Sequence, residues 1–153
     1  MRIARCTPAE ARRQAAWIAG IEPWRGLGYG AGPLGRWLAT SARRDTVYVA
    51  REGASGAPPL GIAVLQSPFL LGGFIALLAV RPDAAGRGLG RALVERVARQ
   101  VFAAAGRRWL YVSADARNRA ALGFYRKLGF RQVGRLPDLI RSGRTELLLR
   151  RGA

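Results

Sequence analysis

The sequence contains no histidine, and this absence removes several kinds of catalytic site. Triad hydrolases of the serine and cysteine types use an imidazole ring as their general base. Many zinc centres bind the metal through the same ring. A histidine-assisted nucleophile and an imidazole-ligated zinc site are therefore excluded, and we expect a protein that works without a metal.

Cysteine is nearly absent as well, since Cys6 is the only one. A single thiol cannot close an internal disulfide, which suits a reducing compartment and predicts a cytoplasmic location. We expect Cys6 to behave as a small, half-buried apolar residue and not as a nucleophile. Half of the 153 residues are apolar, so residues 1–153 are predicted to form one domain around a single core.

Acidic residues are scarce beside basic ones, 9 against 26, which gives a formal net charge of +17. Lys127 is the only lysine, so 25 of the 26 basic residues are arginine. The basic residues occur at most in adjacent pairs, and no run reaches the length of a nucleic-acid-binding arm. Nucleic acid is therefore not the expected partner, and the charge instead favours a ligand that carries several phosphate charges.

Long uncharged segments are limited to one, Leu60–Val80, which has the length of a membrane span. Polar and turn-forming residues interrupt it at 66–68 and at 72–73. The segment therefore predicts two strands, Leu60–Gln66 and Phe74–Arg81, joined by a loop. No membrane partner is expected.

Apolar periodicity and turn residues predict four helices and six or seven strands. The first helix begins with Thr7, Pro8 and Glu10, a pattern typical of a capping box. The expected helices are Pro8–Ala19, Pro33–Ser41, a long helix that follows a glycine-rich loop and ends near Ala105, and Asn118–Leu128. The expected further strands are Thr46–Arg51, Trp109–Ala114, Phe130–Leu136 and Thr145–Arg151.

The glycine-rich loop, Gly86–Arg91, reads Gly-Arg-Gly-Leu-Gly-Arg between a predicted strand and the long helix. Glycines allow a tight turn and a close approach of the backbone to a ligand. Free amides at the helix start and the helix dipole attract anions, and Arg87 and Arg91 add positive charge. The loop matches neither the P-loop nor the dinucleotide-binding pattern. It predicts a pyrophosphate site, with a tight turn and solvated arginines as the alternative.

A second segment, residues 118–130, places Tyr125 on a helix shortly before Gly129 and a new strand. On its own, the residue type indicates that Tyr125 is a core aromatic. Asn118 on its own would be a helix cap. The segment therefore gains a functional interpretation only in combination with the glycine-rich loop.

Together the two segments resemble the GNAT superfamily of N-acetyltransferases. The acetyl-CoA signature of that family is Arg/Gln-x-x-Gly-x-Gly/Ala, and residues 85–90 match it at both glycines but begin with Ala85. The second segment of the family reads roughly Asn-x-x-Ala-x-x-Phe/Leu-Tyr-x-Lys-x-Gly-Phe. This chain matches it at Asn118, Ala121, Phe124, Tyr125, Lys127, Gly129 and Phe130.

The resemblance implies an α/β (α+β) fold in which a mixed, mostly antiparallel sheet of six or seven strands is flanked by about four helices. It also implies an N-acetyltransferase that moves an acetyl group from acetyl-CoA to a primary amine by direct attack on the thioester. Acetyl-CoA is then the cosubstrate, and the acceptor is a small-molecule or peptide amine. A homodimer is left open.

The resemblance further assigns residues to acetyl-CoA. The backbone of Leu78 and Val80 would bond the pantetheine arm, and an amide in that segment would polarise the thioester carbonyl. Asn118 would contact the cofactor arm, and Tyr125 would protonate the leaving thiolate. Arg87 or Arg91 could replace the phosphate contact that Ala85 lacks. The pyrophosphate would lie on Ala85, Gly86, Arg87, Gly88, Leu89, Gly90 and Arg91.

The general base and the acceptor pocket are less well defined by the resemblance. Many relatives carry a glutamate on strand 4, which this chain lacks, so Glu22 in the loop after the first helix is the predicted base. A water is the alternative, and Glu22 could equally be a solvated charge. Trp24 and Tyr29 in the same loop and Asp138 in the last turn are predicted to line the acceptor pocket, although Trp24 could equally belong to the core.

Two other functions stay open at this point. A transferase of the same fold could act on a protein N-terminus, as the ribosomal-protein alanine acetyltransferases do. The many arginines would be unusual beside a basic ribosomal protein. From a different class, a non-catalytic module could bind CoA or nucleic acid. Turnover on amines and the salt dependence of binding would separate these functions.

Overall fold

The computed structural model describes all residues from 1 to 153 and contains seven strands and five α-helices. A short 3-10 turn, Pro82–Ala84, precedes the fourth helix. The strands are β1 (Arg2–Arg5), β2 (Thr46–Arg51), β3 (Gly61–Phe69), β4 (Gly72–Val80), β5 (Trp109–Asp115), β6 (Arg131–Pro137) and β7 (Thr145–Gly152). The helices are α1 (Pro8–Arg13), α2 (Ala15–Ala19), α3 (Ala31–Arg44), α4 (Leu89–Ala103) and α5 (Arg119–Lys127).

The sheet has the strand order β1-β2-β3-β4-β5-β7-β6. The pairs β1–β2, β2–β3, β5–β7 and β6–β7 are antiparallel, whereas β4 and β5 pair in parallel. The predicted mixed, mostly antiparallel sheet is confirmed, with seven strands. The four expected helices are confirmed as well, with α1 and α2 together taking the place of the first one.

The chain forms two compact units. The first comprises Met1–Gln66 and Leu77–Val97, and the second comprises Ser67–Ala76 and Ala98–Ala153. Each unit has fully buried apolar side chains of its own. In the first unit these include Ile18, Leu38, Val49, Ile62 and Leu93, and in the second they include Leu110, Val112, Phe130 and Leu149.

Helix α4 buries the apolar stripe that its sequence predicts. Leu89, Leu93, Val97 and Val101 recur every four residues, and each is at most 2% exposed. Burial of one such side chain contributes roughly 1.5–3 kcal/mol. The stripe therefore fixes the rotation of α4 about its own axis, and with it the direction in which the preceding glycine-rich loop faces.

The first helix is interrupted at Gln14, where the sequence predicts a continuous helix. The side chain of Gln14 is buried, its Nε2 donates to Glu10 O at 3.0 Å, and its Oε1 accepts from Trp17 Nε1 at 3.0 Å. The two side-chain hydrogen bonds satisfy a polar group that would otherwise be costly to bury. The backbone N–H of Gln14 donates to Ala11 O at 3.0 Å, and α1 ends and α2 begins on either side of this residue.

The capping box at the start of α1 forms only in part. Thr7 Oγ1 accepts from Glu10 N at 3.2 Å, as expected of an N-cap. The Glu10 carboxylate does not return to the Thr7 amide but pairs with Arg51 on β2. A guanidinium gives a stronger, charge-assisted hydrogen bond than a backbone amide, which explains the difference.

The uncharged segment of membrane-span length forms the hairpin β3–β4, and its turn lies later than predicted. β3 continues through residues 67–68 to Phe69, so the turn is Leu70–Leu71, and both leucines have positive φ. A side chain at Gly72 would collide with the backbone of Trp109, so glycine here permits the close approach of β5. No helix in the chain has both the length and the apolar character needed to cross a membrane.

Candidate functional site

The glycine-rich loop follows β4 and the 3-10 turn and leads directly into α4. Gly86 and Gly88 have φ values of 78° and 80°, in the left-handed region. A side chain at either position would meet no atom within 4 Å. Glycine is therefore required here by the backbone conformation and not by crowding.

The loop presents a row of amide N–H groups without backbone partners. The first hydrogen bond of α4 runs from Ala92 N to Gly88 O at 3.0 Å, and the amides of Gly86–Arg91 donate to no backbone oxygen. They stand at the start of a 15-residue helix, whose dipole adds positive potential there. This donor set suits a pyrophosphate such as that of coenzyme A.

The two arginines of the loop differ in their partners. Arg87 pairs with Glu52 at 3.1 Å and also donates to Asp83 O at 2.8 Å. Arg91 is exposed and forms no ion pair. Ala85 is also exposed and contributes no polar group of its side chain. Arg91 is therefore available to a phosphate as it stands, whereas Arg87 would have to exchange Glu52 for one.

Leu78 and Val80 lie on the half-exposed face of β4. Leu77 and Ala79, which alternate with them, are 4% and 3% exposed. The parallel ladder between β4 and β5 covers Gly72–Phe74 on β4. The backbone groups of Leu78 and Val80 thus lie beyond the part of β4 that pairs with β5, four or more residues further along the strand.

Asn118 caps helix α5. Its Oδ1 accepts a hydrogen bond from Ala121 N at 3.1 Å, which confirms the structural interpretation of this residue type. The side-chain carbonyl is therefore used by the helix, whereas the two N–H groups of the same amide are still able to donate to a ligand.

Tyr125 lies on α5 and is 8% exposed. Its ring packs edge-on against Phe124 and Phe130, with centroids 5.2 and 5.5 Å away. Burial raises the pKa of the phenol well above its ordinary value. The hydroxyl is therefore protonated throughout the neutral range, and it can donate a hydrogen bond to a bound group.

Glu22 lies exposed in the turn after α2. Its Oε1 pairs with Arg25 Nε at 3.1 Å, and its Oε2 accepts from Gly26 N at 3.1 Å. Both oxygens are thus engaged by residues three and four positions further along the chain. The role of Glu22 as a base stays a prediction, and it would require the carboxylate to give up at least one of these contacts.

The residues predicted to line the acceptor pocket fall into two groups. Trp24 and Tyr29 are joined by a hydrogen bond from Tyr29 N to Trp24 O at 3.1 Å, Trp24 is half-buried, and Tyr29 is 45% exposed. Asp138 belongs to the second unit, where its Oδ1 accepts from Gly143 N at 2.7 Å and closes the turn between β6 and β7. The acceptor role of all three stays a prediction.

The structure also contains a polar cluster, formed by β5, β7 and the residue before β7, that sequence analysis missed. Ser113 Oγ donates to Glu146 Oε1 at 3.2 Å, and Arg144 pairs with Asp115 at 2.9 Å. The hydrogen bond from Arg144 holds the pKa of Asp115 below its ordinary value, whereas burial raises the pKa of Glu146. The sequence indicates which residues of each strand share a face, but it does not indicate how the two strands are aligned. It therefore does not predict that these four residues lie close together.

Cys6 has the properties of a buried apolar residue. It is 8% exposed, somewhat more buried than expected, and its Sγ contacts Thr7 O at 3.3 Å. Burial raises the pKa of the thiol to about 11, against a smaller opposing effect of Arg51 and Arg13. Because the thiolate is the nucleophilic form, the thiol is unreactive near neutral pH.

A family model supports the combination of these features. The model of the acetyltransferase (GNAT) domain matches residues 43–132, which are 90 of the 153 residues. The matched range contains both the glycine-rich loop and the segment 118–130. No curated protein sequence matches the chain significantly.

Several solved structures share the fold over nearly the whole chain. The ribosomal-protein-alanine N-acetyltransferase from Brucella melitensis is 19% identical, with a TM-score of 0.77 and 100% of both chains covered. An N-acetyltransferase from Staphylococcus aureus Mu50 is 20% identical, with a TM-score of 0.77 and coverage of 99% of this chain and 97% of that one. The protein yncA from Salmonella typhimurium, whose structure includes its cofactor acetyl-CoA, is 16% identical, with a TM-score of 0.73 and coverage of 99% and 93%. At these identities the similarity establishes the fold.

Proposed function

Because the chain belongs to the GNAT family of acetyl-CoA-dependent acetyltransferases, we propose that it transfers the acetyl group to the primary amine of a small molecule or peptide. The observation that supports this most directly is the row of unpaired amides from Gly86 to Arg91 at the start of α4. Free amides at a helix start suit a pyrophosphate, and the net charge of +17 favours a polyanionic cosubstrate.

In the proposed arrangement, the backbone holds most of the cosubstrate. The amides of residues 86–91 bind the pyrophosphate, Ala85 lies beside it, and Arg91 adds a charge contact at the surface. The backbone of Leu78 and Val80 bonds the pantetheine arm, and an amide of this segment polarises the thioester carbonyl. Asn118 donates to the arm through the N–H groups that the helix leaves free.

We assign to Tyr125 the stabilisation of the leaving thiolate. A thiol has a pKa near ~8.5, taking cysteine as a guide, so the departing sulfur gains from a donor at neutral pH. The phenol of Tyr125 is protonated there, and its raised pKa favours a hydrogen bond to the sulfur over complete early proton transfer. The ring is buried among aromatic side chains, and the low local dielectric of this setting strengthens such a bond.

The acceptor must be a neutral amine when it attacks. An α-amine has a pKa near ~8 and needs little assistance, so a water could remove its proton. Glu22 is the base that the sequence predicts, and Trp24, Tyr29 and Asp138 are the predicted wall of the acceptor pocket. We further propose that residues 1–153 act as one catalytic domain and that the protein works in the cytoplasm.

A second candidate is a protein N-terminal acetyltransferase. The Brucella melitensis enzyme that shares the fold over the full chain is a ribosomal-protein-alanine N-acetyltransferase, which favours this specificity among the alternatives. The net charge of +17 argues against a basic ribosomal protein as the acceptor, because like charges raise the cost of the encounter complex.

The decisive experiment is a transfer screen with acetyl-CoA over polyamines, arylalkylamines, aminoglycosides and peptides with a free N-terminus. Thiol release and acetylated product are measured together, so that hydrolysis is not counted as transfer. Product with peptides alone selects the N-terminal acetyltransferase. Binding of CoA without turnover on any amine would leave a non-catalytic CoA-binding module, and steeply salt-dependent binding to random DNA would indicate a nucleic-acid-binding one.

A further inference from the structure

Glu146 is a half-buried carboxylate that forms no ion pair in a protein rich in arginine. Other carboxylates have paired with the available guanidinium groups, at Glu10, Glu22, Glu52, Asp83 and Asp115. Glu146 is bonded instead by a neutral hydroxyl, that of Ser113, at 3.2 Å. Charge balance alone therefore does not explain why this carboxylate lies where it does.

The register of β5 and β7 accounts for the missing ion pair. Asp115 is the direct partner of Glu146 across the two strands, so the two carboxylates are neighbours on the same face of the sheet. The guanidinium of Arg144 is bound to Asp115 at 2.9 Å and does not form an ion pair with Glu146. On the other side of β7, the register partner of Glu146 is Leu136 of β6, which carries no charge.

These neighbours act on Glu146 in opposite directions. Burial raises its pKa most, and the negative charge of Asp115 raises it further, while the Ser113 hydrogen bond and the charge of Arg144 lower it. The net direction is upward, so the group ionises at a higher pH than an ordinary glutamate. A carboxylate with a raised pKa accepts a proton more readily at neutral pH.

The cluster lies at the end of β5 that leads into α5. Asp115 Oδ1 accepts from Arg117 N at 2.8 Å, and Asp115 O accepts from Asn118 N at 2.9 Å. Asn118 is the cap of the helix that carries Tyr125. Within the second unit, Glu146 is therefore connected through its strand partner Asp115 to the turn that supplies a proposed cosubstrate contact.

We propose that Glu146 is the group that removes the proton from the acceptor ammonium, with Ser113 as its positioning residue. This inference rests on the proposed acetyl transfer. One proton passes from the ammonium to the Glu146 carboxylate and on to solvent, and the neutral nitrogen bonds to the thioester carbonyl carbon. The C–S bond then breaks, the thiolate takes the second nitrogen proton, and the products are the N-acetylated amine and CoA thiol.

The test is the pH dependence of kcat/KM with the best acceptor among spermidine, 2-phenylethylamine and an alanine-terminated peptide. Glu146→Gln should lower kcat/KM about 10²-fold at pH 7 and remove the acidic limb of the profile. Ser113→Ala keeps the carboxylate but removes a hydrogen bond that lowers its pKa, so the acidic limb should move to higher pH. Glu146→Asp should recover part of the lost rate.

Three comparisons make the outcome unambiguous. Glu10→Gln removes another half-buried carboxylate, which should lower the melting temperature but keep the parental pH profile. Glu22→Gln tests the rival base, and loss of the acidic limb there, with Glu146→Gln unaffected, would overturn the inference. Glu146→Gln should still be stabilised by acetyl-CoA, and loss of that stabilisation would instead indicate a structural role and overturn the inference as well.

The results expected if acetyl transfer itself is wrong differ from those expected if only the role of Glu146 is wrong. A parent protein that binds acetyl-CoA but acetylates none of the amines would contradict acetyl transfer itself, and the role of Glu146 would fall with it. An active parent whose rate and acidic limb survive both Glu146→Gln and Ser113→Ala would overturn the assignment of Glu146 alone.

Discussion

The glycine-rich loop of the first unit and the polar cluster on β5 and β7 of the second unit handle charge in opposite ways. The loop, Gly86–Arg91, offers positive potential from backbone amides and a helix dipole, and its side chains are secondary. The cluster is built from the side chains of Ser113, Asp115, Arg144 and Glu146, and its excess charge is negative.

This difference determines which amino-acid substitutions each site can tolerate. A backbone site depends on φ and ψ, so it is lost when a residue cannot adopt the conformation or fills the cradle. A side-chain site depends on the identity of a functional group. A substitution that changes a single atom of that group can therefore abolish the site or shift its pKa. The following experiments separate these two kinds of dependence, from the largest expected effect to the smallest.

Gly88→Glu should abolish binding of acetyl-CoA. The change places an L side chain at a φ of 80°, costing about 1–2 kcal/mol, and puts a negative charge among the amides that we propose bind the pyrophosphate. For the parent, acetyl-CoA at about 100 times its Kd should raise the melting temperature on the order of 5–10 °C. Thermal shift with and without acetyl-CoA measures both effects.

Gly106→Glu is the matched control for this change. Gly106 also has positive φ, 75°, in the exposed turn before β5, and a side chain there would meet no atom within 4 Å. The variant should show a similar loss of stability and a full response to acetyl-CoA. A parent protein without any thermal shift would refute the loop as a pyrophosphate site.

Tyr125→Phe should lower turnover by about 10²-fold while acetyl-CoA affinity stays close to that of the parent. The aromatic packing against Phe124 and Phe130 is kept, and only the hydroxyl is removed. Because a thiolate leaves more easily when no proton is needed, raising the pH should restore part of the rate. Steady-state kinetics from pH 6 to 10, together with the acetyl-CoA thermal shift, tests this.

Tyr111→Phe provides the comparison for Tyr125→Phe. Tyr111 is 5% exposed, and its hydroxyl donates to Leu70 O at 3.3 Å, a structural contact in the hairpin. Its loss should cost about 1 kcal/mol of stability and leave turnover unchanged. Equal kinetics for the two phenylalanine variants, with chemistry rate-limiting, would show that Tyr125 is only a core aromatic.

Arg91→Ala should weaken acetyl-CoA binding about two- to fivefold at low salt, the range of an exposed charge contact, and less at high salt. Arg87→Ala should have the smaller effect of the two, because Arg87 is already paired with Glu52. Titrations at two ionic strengths measure the difference, with Arg99→Ala on α4 as a control. Unchanged affinity in the Arg87/Arg91 double variant would mean that the backbone alone holds the phosphates.

Treatment with iodoacetamide, which alkylates Cys6, should have the smallest effect on turnover. The pKa of the thiol is raised from 9.0 to about 11, so little thiolate exists in the folded protein at pH 8, and modification should be slow and leave turnover unchanged. The same shift makes the folded state less favourable relative to the unfolded one as the pH rises from 9.0, the value without burial, towards 11. Mass spectrometry of native and unfolded samples follows the modification.

The parts of the site that were predictable depend on neighbours in sequence. Glycines at 86 and 88 permit the left-handed backbone found there, and free amides follow from any helix start, so the loop could be inferred from residues 86–91 alone. The cap at Asn118 and the apolar stripe of α4 are local in the same sense. Their geometry is confirmed because the interactions that determine it span at most one helical turn.

The parts that were mispredicted or missed depend on partners far along the chain. Glu10 leaves the capping box because Arg51, 41 positions away, lies beside it in the fold. Sequence analysis also ended the strand too early, since β3 continues through residues 67–68 to Phe69 and the turn lies at Leu70–Leu71. No local pattern reports such competition between a nearby and a distant partner.

The sequence by itself determined the family, the α/β fold with its mostly antiparallel sheet, and a glycine-rich loop whose free hydrogen-bond donors belong to the backbone. Only the tertiary structure decided that Glu146 is among the carboxylates without an ion pair. Glu146 lacks an ion pair because the register of β5 and β7 sets it opposite Asp115, which takes Arg144, and leaves it with Ser113. Strand register is fixed by burial over the whole sheet. The environment of a side chain on β7 therefore cannot be predicted from the residues next to it in sequence.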